Sequence, residues 1–389
     1  MFFVILPEIS NPYLLDPEIM AASTSYRNSN DEDFAITPGQ FVQDALETKS
    51  ITQKDLSLML GKSASVINDI IKGKRLINAE IAVLLEAVTD IKAAVWMDVQ
   101  SKYVIAEAYR NEGILTRYSK IKDWLKIKPF INLSILKKIL GIKGAIEDVD
   151  KLLSYAGVTS ADEFCSLPER KIAKFRKSSK MQTDVQNLFT WTLIARHQSK
   201  EKTLTSFFDQ TKIEELSNKL NDIFFHNFLV EDKVEEVLNQ YGIKFFRIKN
   251  FERTPVDGYS FWDGTNPTIV VTKRYDRIDN FAFNIFHELG HIYHHLTPNS
   301  TEDYIGSNGD DDSENDSHER EANEFAKKQL RRGINLDRIF ARWNNPFVAS
   351  NLLKGISEDY RINLGIVTGQ YQNYCSNYTI CRNFLEKVN

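Results

Sequence analysis

Apolar residues recur at helical spacing in the first third of the chain, in short segments that begin with capping residues. Thr37 stands before Pro38, a residue favoured in the first helical turn, and apolar side chains follow on one face over residues 41–46. Gly61 and Gly73 stand where two of these segments end. Further segments begin beyond Thr52, Ser63, Asn78 and Lys92. The pattern predicts five helices over residues 36–110.

The pattern changes further along the chain. Residues 111–240 remain helical but are interrupted by prolines and glycines, which predicts a helical connector. The β-branched and aromatic runs at 243–248 and 268–272 stand between turn signals and predict short strands. A long helix at 279–296 follows, then an acidic loop and a second helix at 316–332.

We therefore expect a mainly α protein with a small α+β domain. Its predicted parts are a flexible N-terminal arm, the five-helix domain, a helical connector, the α+β domain and a C-terminal extension. These parts cover residues 1–35, 36–110, 111–240, 241–345 and 346–389.

Composition argues against a membrane span and a disulfide framework. The 389 residues carry 49 Lys and Arg against 53 Asp and Glu, a formal net charge of −4. No run approaches the roughly 18 to 20 apolar residues that cross a bilayer, and the first residues lack a basic leader. We therefore expect a cytoplasmic protein with no membrane partner. Three widely spaced cysteines indicate that any metal is bound by histidines and carboxylates.

Charge is segregated along the chain. Residues 111–200 contain 17 Lys and Arg and 9 Asp and Glu, which gives this stretch a charge of +8. Residues 301–324 contain ten acidic residues and one arginine. The basic stretch suits either phosphate contacts or a solvated helical surface. The acidic stretch predicts a mobile flap over a neighbouring cleft that would repel DNA.

Two short capped helices joined at Gly61 form a unit whose second helix can enter the DNA major groove. An alternative is a helical interaction bundle in which Ser63 only caps a helix and Asn68 is only solvated. The neutral charge of this region and Asp69 in the second helix favour that alternative. The side chains expected to contact phosphates or base edges are Gln53, Ser63, Ser65, Asn68, Lys72, Lys74 and Arg75.

The succession of motifs from residue 36 to residue 103 resembles the HigA-type antitoxins of the Xre-like repressor class. This resemblance implies a homodimeric protein that binds operator DNA, represses its own operon and neutralises a RelE/HigB-like toxin. The motifs that carry it are Ile36–Phe41, Thr52–Leu56, Gly61–Ser63, Ile67–Ile71, Gly73–Arg75 and Trp96–Tyr103.

A second motif, H-E-x-x-H, spans His287 to His291. Residues four apart share a helix face, so both imidazoles can bind one Zn²⁺ while Glu288 lies beside the open side of the metal. A carboxylate there can take a proton from the attacking water and return it to a leaving amine. A chance match is the alternative, because only three residues of the motif are fixed.

A third ligand would distinguish a metal site from a chance match, because catalytic zinc usually has three protein ligands. Glu319 and Asn323 are four apart in the second predicted helix. One face therefore offers a ligand and a side chain that can hydrogen-bond to a ligand. We expect the other neighbours to be solvated or to support the ligands without binding metal: Glu321, Glu324, His294, His295 and His318.

The segments Phe286–Ile292 and Glu319–Ala326 resemble the two motifs of the ImmA/IrrE family of zinc metallopeptidases. Upstream, the resemblance continues through residues 257–262, 267–272 and 274–279. It implies a zincin-like domain with a short sheet, in which His287, His291 and Glu319 bind zinc and Glu288 is the general base. The sequence departs from the family after Ala326, where Lys327–Arg332 replaces small and apolar residues, and this affects packing on the substrate side.

Residues Phe175–Ser178 and Trp191 resemble the linker of proteins that join these two parts. One hypothesis is therefore a transcriptional regulator and antitoxin of a toxin–antitoxin operon, whose zinc domain hydrolyses or senses a protein partner. A second is a zinc endopeptidase that cleaves a repressor or toxin and uses the helix-turn-helix as a targeting module. In a third hypothesis, the zinc-binding fold is an inactive scaffold.

Overall fold

The structure is a computed structural model that describes residues 36–168, 183–298, 302–306, 317–342 and 349–389. The chain divides into two compact units between Thr116 and Arg117. Three predicted features lie outside the described residues: the arm at 1–35, the linker motif at 175–178 and the centre of the acidic flap at 307–316.

Residues 36–110 form the predicted helices, and the caps predicted at Thr37, Thr52, Ser63 and Asn78 are confirmed. Thr37 accepts a hydrogen bond from the Gln40 backbone N–H at 3.1 Å. Thr52 and Asp55 cap each other reciprocally, and Gly61 adopts the left-handed φ of 60° that ends a helix most readily at glycine. The helices are α1 (Pro38–Thr48), α2 (Gln53–Leu60), α3 (Ala64–Ile71), α4 (Ala79–Thr89) and α5 (Ala93–Arg110).

One apolar core joins these helices. Trp96 of α5 is fully buried and its ring lies 4.7 Å from that of Phe41 in α1. Ile67 and Ile70 turn one face of α3 into the same core. The buried Gln100 side chain accepts a hydrogen bond from the Ile77 backbone N–H at 2.8 Å, so α5 also fixes the turn that follows α3.

The further helices with both ends in the described residues belong to the predicted connector, the α+β domain and the extension. They are α6 (Glu112–Ile127), α7 (Leu133–Leu140), α8 (Val149–Ala156), α9 (Val185–Glu201), α10 (Ile213–His226), α11 (Val230–Gln240), α12 (Ile278–His294), α13 (Ser317–Leu330), α14 (Leu336–Arg342), α15 (Ala349–Tyr360) and α16 (Leu364–Tyr374).

A four-stranded mixed sheet lies within the second unit. Its strands β1 (Lys244–Ile248), β2 (Gly258–Trp262), β3 (Pro267–Thr272) and β4 (Asp303–Gly306) pair in the order β1-β3-β2-β4. β1 runs parallel to β3, and β2 runs antiparallel to both β3 and β4. The expected fold class, mainly α with a small α+β region, is confirmed.

The strand β4 corrects the interpretation of residues 301–324, whose beginning we expected to be loop. Asp303 is buried because its carboxylate accepts hydrogen bonds from Arg196 at 2.8 Å and Tyr259 at 2.7 Å. Tyr304 and Ile305 are also buried. Arg196, which permits an acidic residue in this strand, lies more than a hundred positions earlier in the chain. A local sequence pattern therefore cannot predict this strand.

Side chains alternate between the two faces of the sheet, so each face packs against a different helix. Tyr259, Phe261, Val270 and Ile305 pack with Trp191 of α9 on one face. The opposite face packs against α12, in a core that also includes α15 and α16. The boundaries of the connector, the α+β domain and the extension remain predictions. None of the helices in the described ranges has the length and apolarity to cross a membrane.

We expect replacement of Asp303 by Ala to destabilise the second unit by about 3–5 kcal/mol, because it leaves the Arg196 charge buried without its carboxylate. Urea unfolding of the full chain measures this change. The control is Asp222→Ala, which removes an exposed partner of Arg332 and is expected to cost about 1 kcal/mol or less. Equal effects of the two substitutions would contradict a structural role for the buried pair.

Candidate metal centre and nucleic-acid interface

The metal-ligand candidates lie on two helices that pack unusually closely. At Gly290 of α12, an added Cβ would lie 2.9 Å from the Cα of Ala322 in α13. Two small residues therefore let the helix backbones meet where the H-E-x-x-H motif faces α13. This approach brings Glu319 to the two histidines, although it lies 28 positions after His291 in the chain.

The three predicted ligands converge. The Nε2 atoms of His287 and His291 are 3.1 Å apart. The Glu319 carboxylate lies 3.2 Å from His287 Nε2 and 3.5 Å from His291 Nε2 through its two oxygens. One ligand atom from each residue falls within 4.8 Å of the others, with both histidines buried. The arrangement is a possible His-His-Glu metal site.

The Nδ1 atoms of both histidines are engaged on the other side of each ring. His287 Nδ1 lies 2.9 Å from Asn323 Oδ1, which matches the supporting role predicted for Asn323. His291 Nδ1 lies 3.1 Å from His295 Nδ1. Tyr304 of β4 stacks on the His291 ring at 4.2 Å. These contacts orient the Nε2 atoms towards the shared space.

Burial and hydrogen bonds set the charges in the cluster. Burial lowers the pKa of His291 to about 4, which keeps this imidazole neutral near pH 7. Burial alone would raise the pKa of Glu319, but hydrogen bonds with His287 and His291 lower it well below its ordinary value. An ionised carboxylate beside a neutral imidazole is the state in which both residues can bind a metal.

Glu288 is buried against the sheet. Its side chain lies next to Gly258, where an added Cβ would overlap the carboxylate and displace it. Burial raises the pKa of Glu288 to about 7, while the charge of the adjacent His287 acts in the opposite direction. The carboxylate is thus held beside the ligands without being one of the three converging groups.

Some site residues were missed from the sequence or only partly identified. Glu321, expected to be solvated, is exposed but also pairs with His295 at 3.0 Å. The spacing of four between His291 and His295 was the available signal, since it places both on one helix face. Tyr304 had no such signal, because it reaches the site through the sheet. Its hydroxyl lies 2.8 Å from His318 Nδ1.

The DNA-contact candidates in α3 and at its C-cap, Lys72, fall on one face. Ser65, Asn68 and Lys72 follow each other at spacings of three and four, opposite the buried Ile67 and Ile70. Ser65 and Lys72 are exposed, and Asn68 is half-buried. This geometry leaves a polar helix face available for contacts.

The other candidates lie at the ends of the helices. Ser63 caps α3 by accepting a hydrogen bond from the Val66 N–H at 3.4 Å, and it is exposed. Gln53, at the start of α2, donates to Gln43 at 3.2 Å. Lys74 and Arg75 are exposed in the turn after α3.

Two protein families match separate parts of the chain. Residues 42–96 match the family described as helix-turn-helix, and residues 238–330 match the peptidase family described as IrrE N-terminal-like domain. The chain therefore joins a helix-turn-helix DNA-binding domain to an IrrE N-terminal-like, metallopeptidase-like domain. Both resemblances found in the motifs are confirmed at this level.

A similar solved structure is described as Pseudomonas aeruginosa antitoxin HigA with higBA promoter. It is 34% identical over 22% of this chain and 92% of that chain, with a TM-score of 0.21, so the domain assignment rests on the families. No curated protein matches the chain significantly.

We expect Gly290→Ala to weaken metal binding about tenfold or more and to cost about 1–3 kcal/mol of stability, because the added methyl group forces α12 and α13 apart. Isothermal titration with Zn²⁺ and urea unfolding measure the two effects. Gly355→Ala in α15 is the matched control, since open space surrounds that position and alanine favours a helix. Unchanged zinc affinity in Gly290→Ala would contradict the importance of the close approach.

Proposed function

We propose that the protein is a transcriptional regulator and antitoxin of a toxin–antitoxin operon, with a zinc-dependent peptidase domain that hydrolyses or senses a protein partner. The observation that carries the enzymatic part is the convergence of His287, His291 and Glu319 beside the buried carboxylate of Glu288. The regulatory part is supported by the helix-turn-helix domain.

The donor set suits zinc. Two imidazole nitrogens and one carboxylate oxygen are borderline and hard ligands of the kind found in catalytic zinc sites, where a fourth position stays open. His287 and His291 would bind through Nε2, because their Nδ1 atoms already have partners. When bound, zinc supplies a Lewis acid that polarises a carbonyl group and lowers the pKa of a water molecule.

Glu288 is the proposed general base. Its carboxylate takes a proton from the water that attacks the peptide carbonyl and then delivers that proton to the nitrogen of the leaving amine. The Glu288 carboxylate lies against Gly258 of the sheet, and Glu288 follows His287 in the sequence. The same burial limits access of bulk water to the carboxylate.

The helix α3 is the proposed recognition helix. Ser65 and Asn68 can reach base edges in the major groove, and Lys72, Lys74 and Arg75 can contact phosphates. A homodimer would present two such helices to a two-fold symmetric operator. The operator beside the chain's own gene is the first DNA to test, and a RelE/HigB-like toxin or a repressor is the proposed protein partner in the cytoplasm.

The alternative is that the protein acts primarily as an endopeptidase and uses the helix-turn-helix to deliver proteolysis to a DNA-bound repressor. The complete ligand set beside Glu288 favours this alternative over an inactive scaffold. The two candidates differ in whether proteolysis is needed for regulation.

We expect Glu288→Gln to abolish peptide hydrolysis while zinc and operator affinity stay unchanged, because glutamine has nearly the same shape but cannot accept the proton. Zinc-loaded full chain is incubated with a library of protein-derived peptides, and cleavage is followed by mass spectrometry.

The matched control for this experiment is Glu324→Gln on the exposed face of α13. Continued cleavage by Glu288→Gln would show that another group is the base. The absence of cleavage by the zinc-loaded wild-type chain would remove hydrolysis from the proposal and leave sensing.

We expect the double substitution Ser65→Ala and Asn68→Ala to weaken operator binding about tenfold or more, since each well-placed base contact contributes about 1–3 kcal/mol. Fluorescence anisotropy with labelled DNA from upstream of the gene measures the affinity at fixed salt. Ser101→Ala on the exposed part of α5 is the control. Wild-type affinity in the double variant would exclude this face of α3 as the reading surface.

A further inference from the structure

The two histidines of the metal centre are held by different kinds of partner. His287 has an amide oxygen, that of Asn323 on α13, next to its Nδ1. His291 has a second imidazole there, that of His295, which lies one turn further along α12. The difference matters because an amide oxygen can only accept a hydrogen bond, whereas an imidazole nitrogen can donate or accept.

The Glu321 carboxylate, next to His295 Nε2, determines whether His295 Nδ1 donates or accepts the hydrogen bond with His291. His295 Nε2 lies 3.0 Å from the Glu321 carboxylate on α13, and an ionised carboxylate can only accept. A neutral His295 must therefore carry its proton on Nε2, which leaves its Nδ1 as an acceptor. His291 then donates from Nδ1, and its Nε2 lone pair is free to bind a metal.

Ring packing fixes this chain of hydrogen bonds in space. The His295 side chain is only 4% exposed and stacks on His318 at 4.3 Å, with an angle of 22° between the rings. Tyr304 stacks on His291 with an angle of 11°. Glu321 is 60% exposed, so the chain of hydrogen bonds begins at the surface and ends at a buried ligand.

We propose that Glu321 and His295 are positioning residues that fix the proton of His291 on Nδ1 and so prepare its Nε2 for metal binding. The inference rests on the proposed function for the presence of zinc, but not for peptide hydrolysis. The contrasting possibility is that Glu321 and His295 form an ordinary surface ion pair. Such a pair contributes little to stability and would leave the metal site unaffected.

Three substitutions of Glu321 test the direction of the hydrogen bonds. Glu321→Gln keeps an acceptor oxygen, so we expect zinc affinity within about threefold of wild type, and we expect a loss of about tenfold for Glu321→Ala. Glu321→Lys places a donor against His295 Nε2. This forces the His295 proton onto Nδ1, where it faces the Nδ1 proton of His291. We therefore expect the largest loss of zinc affinity, about 100-fold.

Zinc affinity of the full chain is measured by competition with a chromophoric chelator. The absorption spectrum of the Co²⁺-loaded chain reports the ligand geometry independently of activity, and we expect it to change in Glu321→Lys. Glu324→Lys is the matched control, because it makes the same charge change on the same helix at a side chain that is 74% exposed. Glu324→Lys is expected to bind zinc with the affinity of the wild-type chain. Urea unfolding without metal checks that each variant is folded.

His295→Ala and His294→Ala provide a second comparison on α12. His294 is exposed and adjacent, so its loss should leave zinc affinity unchanged, whereas loss of His295 should lower it about tenfold or more. Equal zinc affinities in Glu321→Lys and Glu324→Lys would overturn the inference. If the wild-type chain binds zinc and cleaves peptides, and the Glu321 and His295 variants do so equally well, only the positioning role fails. If the wild-type chain binds no zinc, the metal centre of the proposed function fails with it.

Discussion

The close packing of α12 on α13 is the constraint on which the metal centre depends. Neither helix carries a complete set of ligands, and the carboxylate of Glu319 reaches the histidines only because Gly290 meets the backbone of Ala322. The same approach aligns Asn323 with His287 and Glu321 with His295. One backbone contact between two small residues therefore determines the ligand set and both of its supporting hydrogen bonds.

The sheet is the second constraint, because it supplies residues from distant parts of the chain. Asp303 is held in β4 by Arg196 of α9, and this places the next residue, Tyr304, on the ring of His291. On β2, Gly258 leaves room for the Glu288 carboxylate. A helix of the predicted connector thus contributes, through a buried ion pair, to the surroundings of the candidate metal ligands.

Much of this arrangement was accessible from the sequence, because it is encoded by local spacing. The caps at Thr37, Thr52 and Ser63, the two histidines four apart and the pair Glu319 and Asn323 all follow from helical geometry. The strand β4 and the stacking of Tyr304 were not accessible, because they depend on pairing between segments far apart in the chain. A run of acidic residues predicts solvent exposure, and the buried Arg196 and Tyr259 reverse that prediction for Asp303.

If the candidate site binds a metal, the division of its ligands between two helices links the lifetime of the protein to its metal supply. An ion that binds the folded chain and not the unfolded chain adds about 2.7 kcal/mol of stability at a free concentration one hundred times its dissociation constant. Proteases in a cell act largely on opened or unfolded chains, so scarcity of the ion would shorten the half-life of the second unit. The abundance of a DNA-binding protein built in this way would follow the concentration of its metal, even when its contacts with DNA are unchanged.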